Sequence, residues 1–174
     1  MFINFEGRIH LITSDVQLNH VTPAMKKITA FGFDTETRPS FSKGEVYKVA
    51  LLQLATDTDA YLIRMHHVSQ FQVIKEIFED ESVLKVGVAI RDDLKQLRKV
   101  FEFEARGFVE LQDVARKKGL QNLGLRGMAQ EVLNGTLSKA AKITNWEAPA
   151  LTEKQILYAA TDAWVGQKIY EKII

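Results

Sequence analysis

The fold is decided by a seven-residue stretch, AFGFDTE at positions 30–36, in which an apolar run ends in two acidic residues. Such a run is typical of a buried central β-strand that delivers its last residues to the edge of a sheet. Because side chains alternate along a strand, Asp34 and Glu36 face one side and Thr35 faces the other. The two carboxylates can therefore share a cation. A D-x-E pair is also common by chance, so a solvated strand end is the alternative interpretation.

The residues that follow this strand predict a mixed sheet. Residues 38–48 are polar and predict a loop, and two more strands, 49–55 and 60–63, are joined by a turn suited to a hairpin. Strands and helices then alternate: a helix over about 69–78, a strand at 83–88, a basic helix from about Asp92, a short strand at 107–111, a helix capped at Asp113 or nearby, and helices over 123–133 and 152–174. Three antiparallel-type strands followed by parallel strands predict an α/β domain with helices flanking the sheet.

Length and composition indicate one domain over residues 1–174. A chain of 174 residues with 46% hydrophobic content can bury its own core. The absence of cysteine excludes disulfides, thiolate zinc sites and a cysteine nucleophile, so a metal would need oxygen or imidazole ligands, which favours hard cations. Neither a signal peptide nor a membrane-spanning run is evident, which predicts a soluble, cytoplasmic protein. The net charge of +1 does not by itself indicate a nucleic-acid binder.

Two further segments place acidic residues at the ends of regular elements. The run VGVAIRDDL at 86–94 is an apolar strand followed by Asp92 and Asp93 at a helix start. Asp is favoured there as a cap, so one of the pair can be that cap while the other faces a site beyond the strand ends. Tyr158 and Asp162 share one helix face, and the small residues between them allow close approach to the sheet. An ordinary Tyr–Asp hydrogen bond is the alternative.

Together these three segments resemble the DEDDy 3'-5' exonucleases, the family that includes ribonuclease D and the Werner-type exonucleases. The likeness runs from about residue 30 to residue 174, and the connecting segment from Leu137 to Gln155 is closest to the Werner type. The resemblance implies a ribonuclease H-like sheet and two divalent cations, Mg²⁺ or Mn²⁺. It implies that the metal-binding and catalytic acids are Asp34, Glu36, Asp93 and Asp162. Asp93 is preferred to Asp92 because the register from strand to acid places it there.

The same resemblance implies a function. The protein is expected to hydrolyse the terminal phosphodiester bond of a nucleic acid with a free 3' end and to release 5' mononucleotides, without a membrane partner. A phenol with a pKa near 10 stays protonated, so Tyr158 is expected to orient the attacking water rather than to act as the base. The Werner-like connector favours DNA over RNA. The alternatives are ribonuclease D-like trimming of RNA 3' ends, a module that binds or scaffolds nucleic acid without cutting it, and an endonuclease.

Four residues outside the acid motifs are candidates for substrate contact. Arg38 and Lys43 follow the first motif and are expected to contact phosphates, with solvated loop charges as the alternative. Lys139, in the connecting segment, is a third cationic candidate. Trp146 has two interpretations: it stacks on a base of the substrate, or its large ring packs against the last helix, which is the favoured interpretation.

Overall fold

The computed structural model describes all residues from 1 to 174 and contains six strands and six α-helices. In chain order they are β1 (Arg8–Ile12), α1 (Asp15–Met25), β2 (Ala30–Glu36), β3 (Leu51–Ala55), β4 (Asp59–Arg64), α2 (Gln72–Glu79), β5 (Leu84–Gly87), α3 (Ile90–Leu97), β6 (Phe108–Glu110), α4 (Leu111–Lys117), α5 (Leu125–Leu133) and α6 (Glu153–Ile173). A short 3-10 turn, Met65–His67, follows β4.

All six strands form one mixed sheet in the order β1-β4-β3-β2-β5-β6. Strands β2, β3 and β4 are antiparallel neighbours, whereas β5 is parallel to β2 and β6 is parallel to β5. The predicted α/β class, with three antiparallel strands followed by parallel ones, is therefore confirmed. The sequence did not predict β1, which adds to the edge parallel to β4, nor α1. Only Ile12 of β1 is buried, and α1 contains Pro23, so both patterns are weak.

Helices cover both faces of the sheet, and residues of β2 pack against the helices on each face. Phe31 and Phe33 belong to the core that lies against α1, α2 and α3. Gly32 faces α6, where a Cβ atom would lie 1.8 Å from the carbonyl oxygen of Ala163. No side chain fits in that space, so glycine allows α6 to lie directly on the central strand. Alternation then puts Asp34 and Glu36 on the α6 side and Thr35 on the α3 side.

One lysine lies entirely inside the fold, on β5. The Nζ atom of Lys85 donates hydrogen bonds to the carbonyl oxygens of Ile77, Asp80 and Arg106 at 2.7, 3.0 and 2.6 Å. Burial lowers the pKa of this amine to about 8. All three protons of the ammonium group are satisfied, so Lys85 ties β5 to the end of α2 and to the segment before β6. Separately, none of the helices is both long enough and apolar enough to span a bilayer.

Candidate active site

Three carboxylates converge where the central strand meets the last helix. Asp34 and Glu36 come from the end of β2, and Asp162 comes from α6. One oxygen from each carboxylate lies within 4.8 Å of the other two, and each of the three residues is partly buried. The sequence predicted this approach from the small residues of α6, and Ala159, Ala160 and Ala163 are indeed buried against the sheet.

Burial and mutual repulsion keep these acids from ionising together. Burial raises the pKa of Asp34 well above its usual value, and the charges of Asp162 and Asp93 raise it further. Burial, followed by the charge of Asp34, raises the pKa of Glu36 to about 10. The pKa of Asp162 rises to about 7, mainly through burial, while Arg126 opposes the rise. Full ionisation near neutral pH therefore requires added positive charge.

Asp93 approaches the end of β2 from the opposite side of the sheet. It lies outside the three-acid group, and its Oδ1 atom accepts a 2.6 Å hydrogen bond from the hydroxyl of Thr35. Burial raises the pKa of Asp93 to about 6. Asp92 is exposed to solvent. The geometry thus favours Asp93 over Asp92 as the fourth acid, because only Asp93 reaches the strand that carries Asp34 and Glu36.

The start of α3 differs from the alternative interpretation in which one of Asp92 and Asp93 caps the helix. The capping position is Ala89, whose φ of 54° lies in the left-handed region. The carboxylate of Glu110 accepts hydrogen bonds from the amides of Ala89 and Ile90 at 2.9 and 3.0 Å. It also accepts one from Gln112, so Glu110 rather than Asp113 caps α4. A residue on β6 therefore fixes the helix start that presents Asp93.

Tyr158 lies one turn before Asp162 on α6 and lines the same cavity. The helix begins with a capping box between Thr152 and Gln155, which sets the position of this first part of α6. Burial is the main cause that raises the pKa of Tyr158 above its usual value, and the charges of Asp162 and Glu36 add to it. The phenol is therefore protonated at working pH and can donate a hydrogen bond.

The four predicted substrate contacts are not gathered around the acids. Trp146 is completely buried, and its ring packs against that of Tyr158 with centroids 6.0 Å apart. A buried ring cannot stack on a base of a bound strand, which corrects the stacking interpretation in favour of packing. The exposed Arg38 lies 4.7 Å over the ring of Tyr47. Lys43 and Lys139 are exposed, and neither they nor Arg38 line the acidic cavity.

The cavity contains cationic residues that were not among the predicted contacts. Its volume is about 430 Å³, and Arg126 and Lys142 line it together with Asp34, Glu36, Tyr158 and Asp162. Arg126 lies in the first turn of α5, where the helix dipole disfavours a positive charge. That conflict with a local rule is the signal in the sequence that could have identified it, because such conflicts concentrate at functional sites.

The donor set of the three-acid group suits a hard divalent cation. Every nearby candidate ligand is a carboxylate oxygen, which Mg²⁺ and Mn²⁺ prefer, and no histidine belongs to the group. The raised pKa values show the cost of leaving these acids ionised without a counter-charge. The residues present therefore fit a metal site.

Comparison with known proteins gives consistent matches. Residues 9–174 match the family model described as 3'-5' exonuclease. The chain is 38% identical over 148 residues to the Mus musculus bifunctional 3'-5' exonuclease/ATP-dependent helicase WRN, covering 82% of this chain and 11% of the relative. The crystal structure of Escherichia coli RNase D, an exoribonuclease involved in structured RNA processing, matches with a TM-score of 0.86 and 28% identity, covering 95% of this chain and 44% of that one.

A further structure shares the fold. The Aedes aegypti Nibbler EXO domain matches with a TM-score of 0.87 and 24% identity, over 97% of this chain and 88% of that chain. The chain spans between 11% and 52% of the length of the first four curated relatives.

Proposed function

Because the chain belongs to the family of 3'-5' exonucleases, we propose that it hydrolyses the terminal phosphodiester bond at a free 3' end of nucleic acid and releases 5' mononucleotides. The observation that carries this proposal is the convergence of Asp34, Glu36 and Asp162, three partly buried carboxylates with raised pKa values. Asp93 is the fourth acid of the proposed site. The single domain over residues 1–174 and the cytoplasmic location stay predictions from the sequence.

The proposed cofactors are two divalent cations, Mg²⁺ or Mn²⁺. Such a pair supplies a nucleophile from water at neutral pH and stabilises the charge that develops on the leaving oxygen. On the α6 side of β2, the cations would be bound by Asp34, Glu36 and Asp162. Asp93 would contribute a carboxylate from the α3 side. Tyr158, protonated and adjacent to these acids, donates a hydrogen bond to the attacking water and aims it in line with the leaving 3' oxygen.

DNA is the proposed substrate, on the resemblance of the connecting segment to Werner-type exonucleases. Trimming of RNA 3' ends is the second candidate, and the likeness to Escherichia coli RNase D at 28% identity favours it. The 2'-hydroxyl distinguishes the two substrates through a few contacts in the cleft.

Matched oligonucleotides test the proposal. DNA and RNA strands of one sequence, labelled at the 5' end or the 3' end, would be incubated with Mn²⁺ or with EDTA. We expect stepwise shortening of the 5'-labelled strand, immediate release of the 3' label as a mononucleotide, and no reaction in EDTA. Retardation of the strand without shortening would indicate a binding module. Cleavage of a circular single strand would indicate an endonuclease.

Asp93 and Asp92 should differ sharply in their effects. We expect Asp93→Asn to lower turnover by roughly 10² or more, the size seen when a positioned charged group near the reacting atoms is lost. Asp92→Asn should leave turnover within about twofold and reduce stability by at most about 1 kcal/mol, since it removes only a favourable charge in the first turn of α3. Single-turnover cleavage measures the rate of each variant, and denaturant unfolding measures its stability. The opposite ranking would transfer the role to Asp92.

The metal-free protein should lose stability as pH rises. A carboxyl group with a raised pKa in the folded chain stabilises the fold when protonated. The full stabilisation is present at pH values below the pKa that the group has in the unfolded chain, which is about 4. It is lost as pH rises through the folded pKa, which is about 6 for Asp93, about 7 for Asp162 and about 10 for Glu36. Each kcal/mol changes Tm by about 2–4 °C, so we expect Tm in EDTA to fall by roughly 5–10 °C between pH 5.5 and pH 8.5.

Thermal melts with and without Mn²⁺ at the two pH values measure this effect. Mn²⁺ should restore most of the loss at pH 8.5 and have little effect at pH 5.5, where protons compete for the ligands. The matched control is a chain with Asp34→Asn, Glu36→Gln and Asp162→Asn together, which should show a much flatter dependence on pH. If the natural chain has the same Tm at both pH values in EDTA, the acids do not repel one another as proposed.

A further inference from the structure

Arg126 lies in the catalytic cavity without the partners that a buried guanidinium group normally has. Arg126 is partly buried in the first turn of α5, and it lines the cavity together with the acids and Tyr158. Its Nη2 atom donates one long hydrogen bond, 3.4 Å, to the carbonyl oxygen of Ser138. Its Nε atom is buried and has no acceptor. A guanidinium group carries five N–H donors, so most of its capacity is unused.

Arg64, another arginine of the chain, has the hydrogen-bond partners that Arg126 lacks. The side chain of Arg64 is buried and donates to three carbonyl oxygens, at 3.2, 3.2 and 2.5 Å: those of Pro149, Trp146 and Ala148. The fold therefore satisfies the arginine that it uses as a structural connection. Arg126 forms no ion pair and is the only cationic side chain with a buried nitrogen that lacks a partner. An anion that enters the cavity would supply the missing acceptors.

Lys142 provides a second positive charge at the same cavity. It comes from the segment between α5 and α6, is exposed, and forms no ion pair within the chain. Both cations line the cavity that contains the acids, and neither forms an ion pair with them, so a ligand can bind between the two sets of charges.

We propose that Arg126 binds the phosphate that joins the last two nucleotides of the substrate, with Lys142 as a second and more exposed contact to the same group. This inference rests on the proposed exonuclease function. A phosphate offers several acceptor oxygens, and the planar fork of arginine matches two of them. The phosphate next to the acids is the one at which the bond is cleaved, and the cavity that holds the acids also holds Arg126. Arg126 is thus a catalytic residue for this substrate.

A two-by-two binding experiment tests the contact. The natural chain and Arg126→Met are each titrated in Ca²⁺, as a non-cleaving cation, with a 10-nucleotide strand of the type that the natural chain cleaves. One strand is unmodified, and the other carries a neutral methylphosphonate at the terminal linkage. We expect Arg126→Met to weaken binding of the unmodified strand by about 10- to 100-fold, the size of a charged hydrogen bond. It should weaken binding of the modified strand by less than about threefold, because the charge that Arg126 contacts is then absent.

Controls separate this contact from a general effect of charge or folding. Arg116→Met removes an exposed arginine that is paired with Asp113 on α4, and it should change the affinities for the two strands by the same factor. Arg126→Lys should recover part of the binding, and thermal melts check that each variant is folded. If Arg126→Met fails to fold, Arg126→Gln replaces it.

Several results would overturn the inference. Equal losses on both strands would show that Arg126 serves only as a counter-charge for the acids. A third strand carries the methylphosphonate at the second linkage instead. If only this change reduces the loss of binding in Arg126→Met, Arg126 does not contact the terminal phosphate. If the natural chain neither binds nor shortens any strand, the proposed function fails, and the inference fails with it. If the natural chain cleaves a strand but the loss of binding in Arg126→Met does not depend on the terminal linkage, only the inferred phosphate contact is refuted, and the proposed function stands.

Discussion

Asp34→Ala and Asp162→Ala should each lower the rate of hydrolysis by at least roughly 10³-fold while leaving the fold intact. Each change removes an oxygen ligand from the three-acid group, which no neighbouring side chain replaces. Each also removes a carboxyl group whose pKa is raised by burial and, for Asp34, also by the charges of Asp162 and Asp93. The metal-free variants should therefore melt at the same temperature as the natural chain or above it at pH 8, because repulsion is relieved.

Turnover under saturating Mg²⁺ and thermal melts in EDTA measure the two halves of this prediction. Asp113→Ala is the matched control, since Asp113 is an exposed acid on α4 that pairs with Arg116 and lies outside the cavity. It should retain the natural rate. Near-natural turnover in the Asp34 or Asp162 variant would refute the assignment of these acids. A large fall in Tm would show that the lost activity reflects unfolding instead.

Tyr158→Phe should lower turnover by roughly 10- to 10³-fold, the effect expected when one positioned hydrogen bond is lost in the transition state. The affinities for metal and for the oligonucleotide should be unchanged. The ring packs against the buried Trp146, and phenylalanine preserves that contact. Because the raised pKa keeps the phenol protonated, loss of a base is not the reason for the slower reaction, and the pH profile should keep its shape.

Single-turnover cleavage gives the rate, and titration of the strand in Ca²⁺ gives the affinity. Tyr47→Phe removes a phenol hydroxyl in the loop after β2, outside the cavity that contains the acids, and is the matched control. An unchanged rate in Tyr158→Phe would make the residue a packing partner of Trp146. Weaker binding with an unchanged rate would make it a substrate contact.

The sequence predicted those parts of the fold whose signals are local. Strand β2 combines an apolar run with two acids, and α6 has a tyrosine and an acid one helical turn apart with small residues between them, so each pattern indicates its element and its chemistry. Both were predicted close to their true limits. Strand β1 gives a weak signal because it lies at the edge of the sheet and buries little, and only its pairing with β4 reveals it.

Contacts between distant parts of the chain could not be read from the sequence. Glu110 fixes the start of α3 from 20 and 21 positions away in the sequence, so no local rule predicts that it outcompetes Asp92 as a cap. The first turn of α5 meets the acids only because α5 and α6 pack together, which is a property of the folded chain. Arg38 and Lys43 are near the motif in sequence but do not line the cavity that contains the acids, so their contact with phosphates stays a prediction.

Lys85 has a practical consequence that follows from its burial on β5. It is the only buried lysine in the chain, and its amine donates to three carbonyl oxygens. An acylating reagent needs a free, deprotonated amine, so the other lysines can be modified in the native protein while Lys85 is protected. Modification at this position therefore reports how often β5 separates from α2, and mass spectrometry of one tryptic peptide becomes a measure of opening of the sheet.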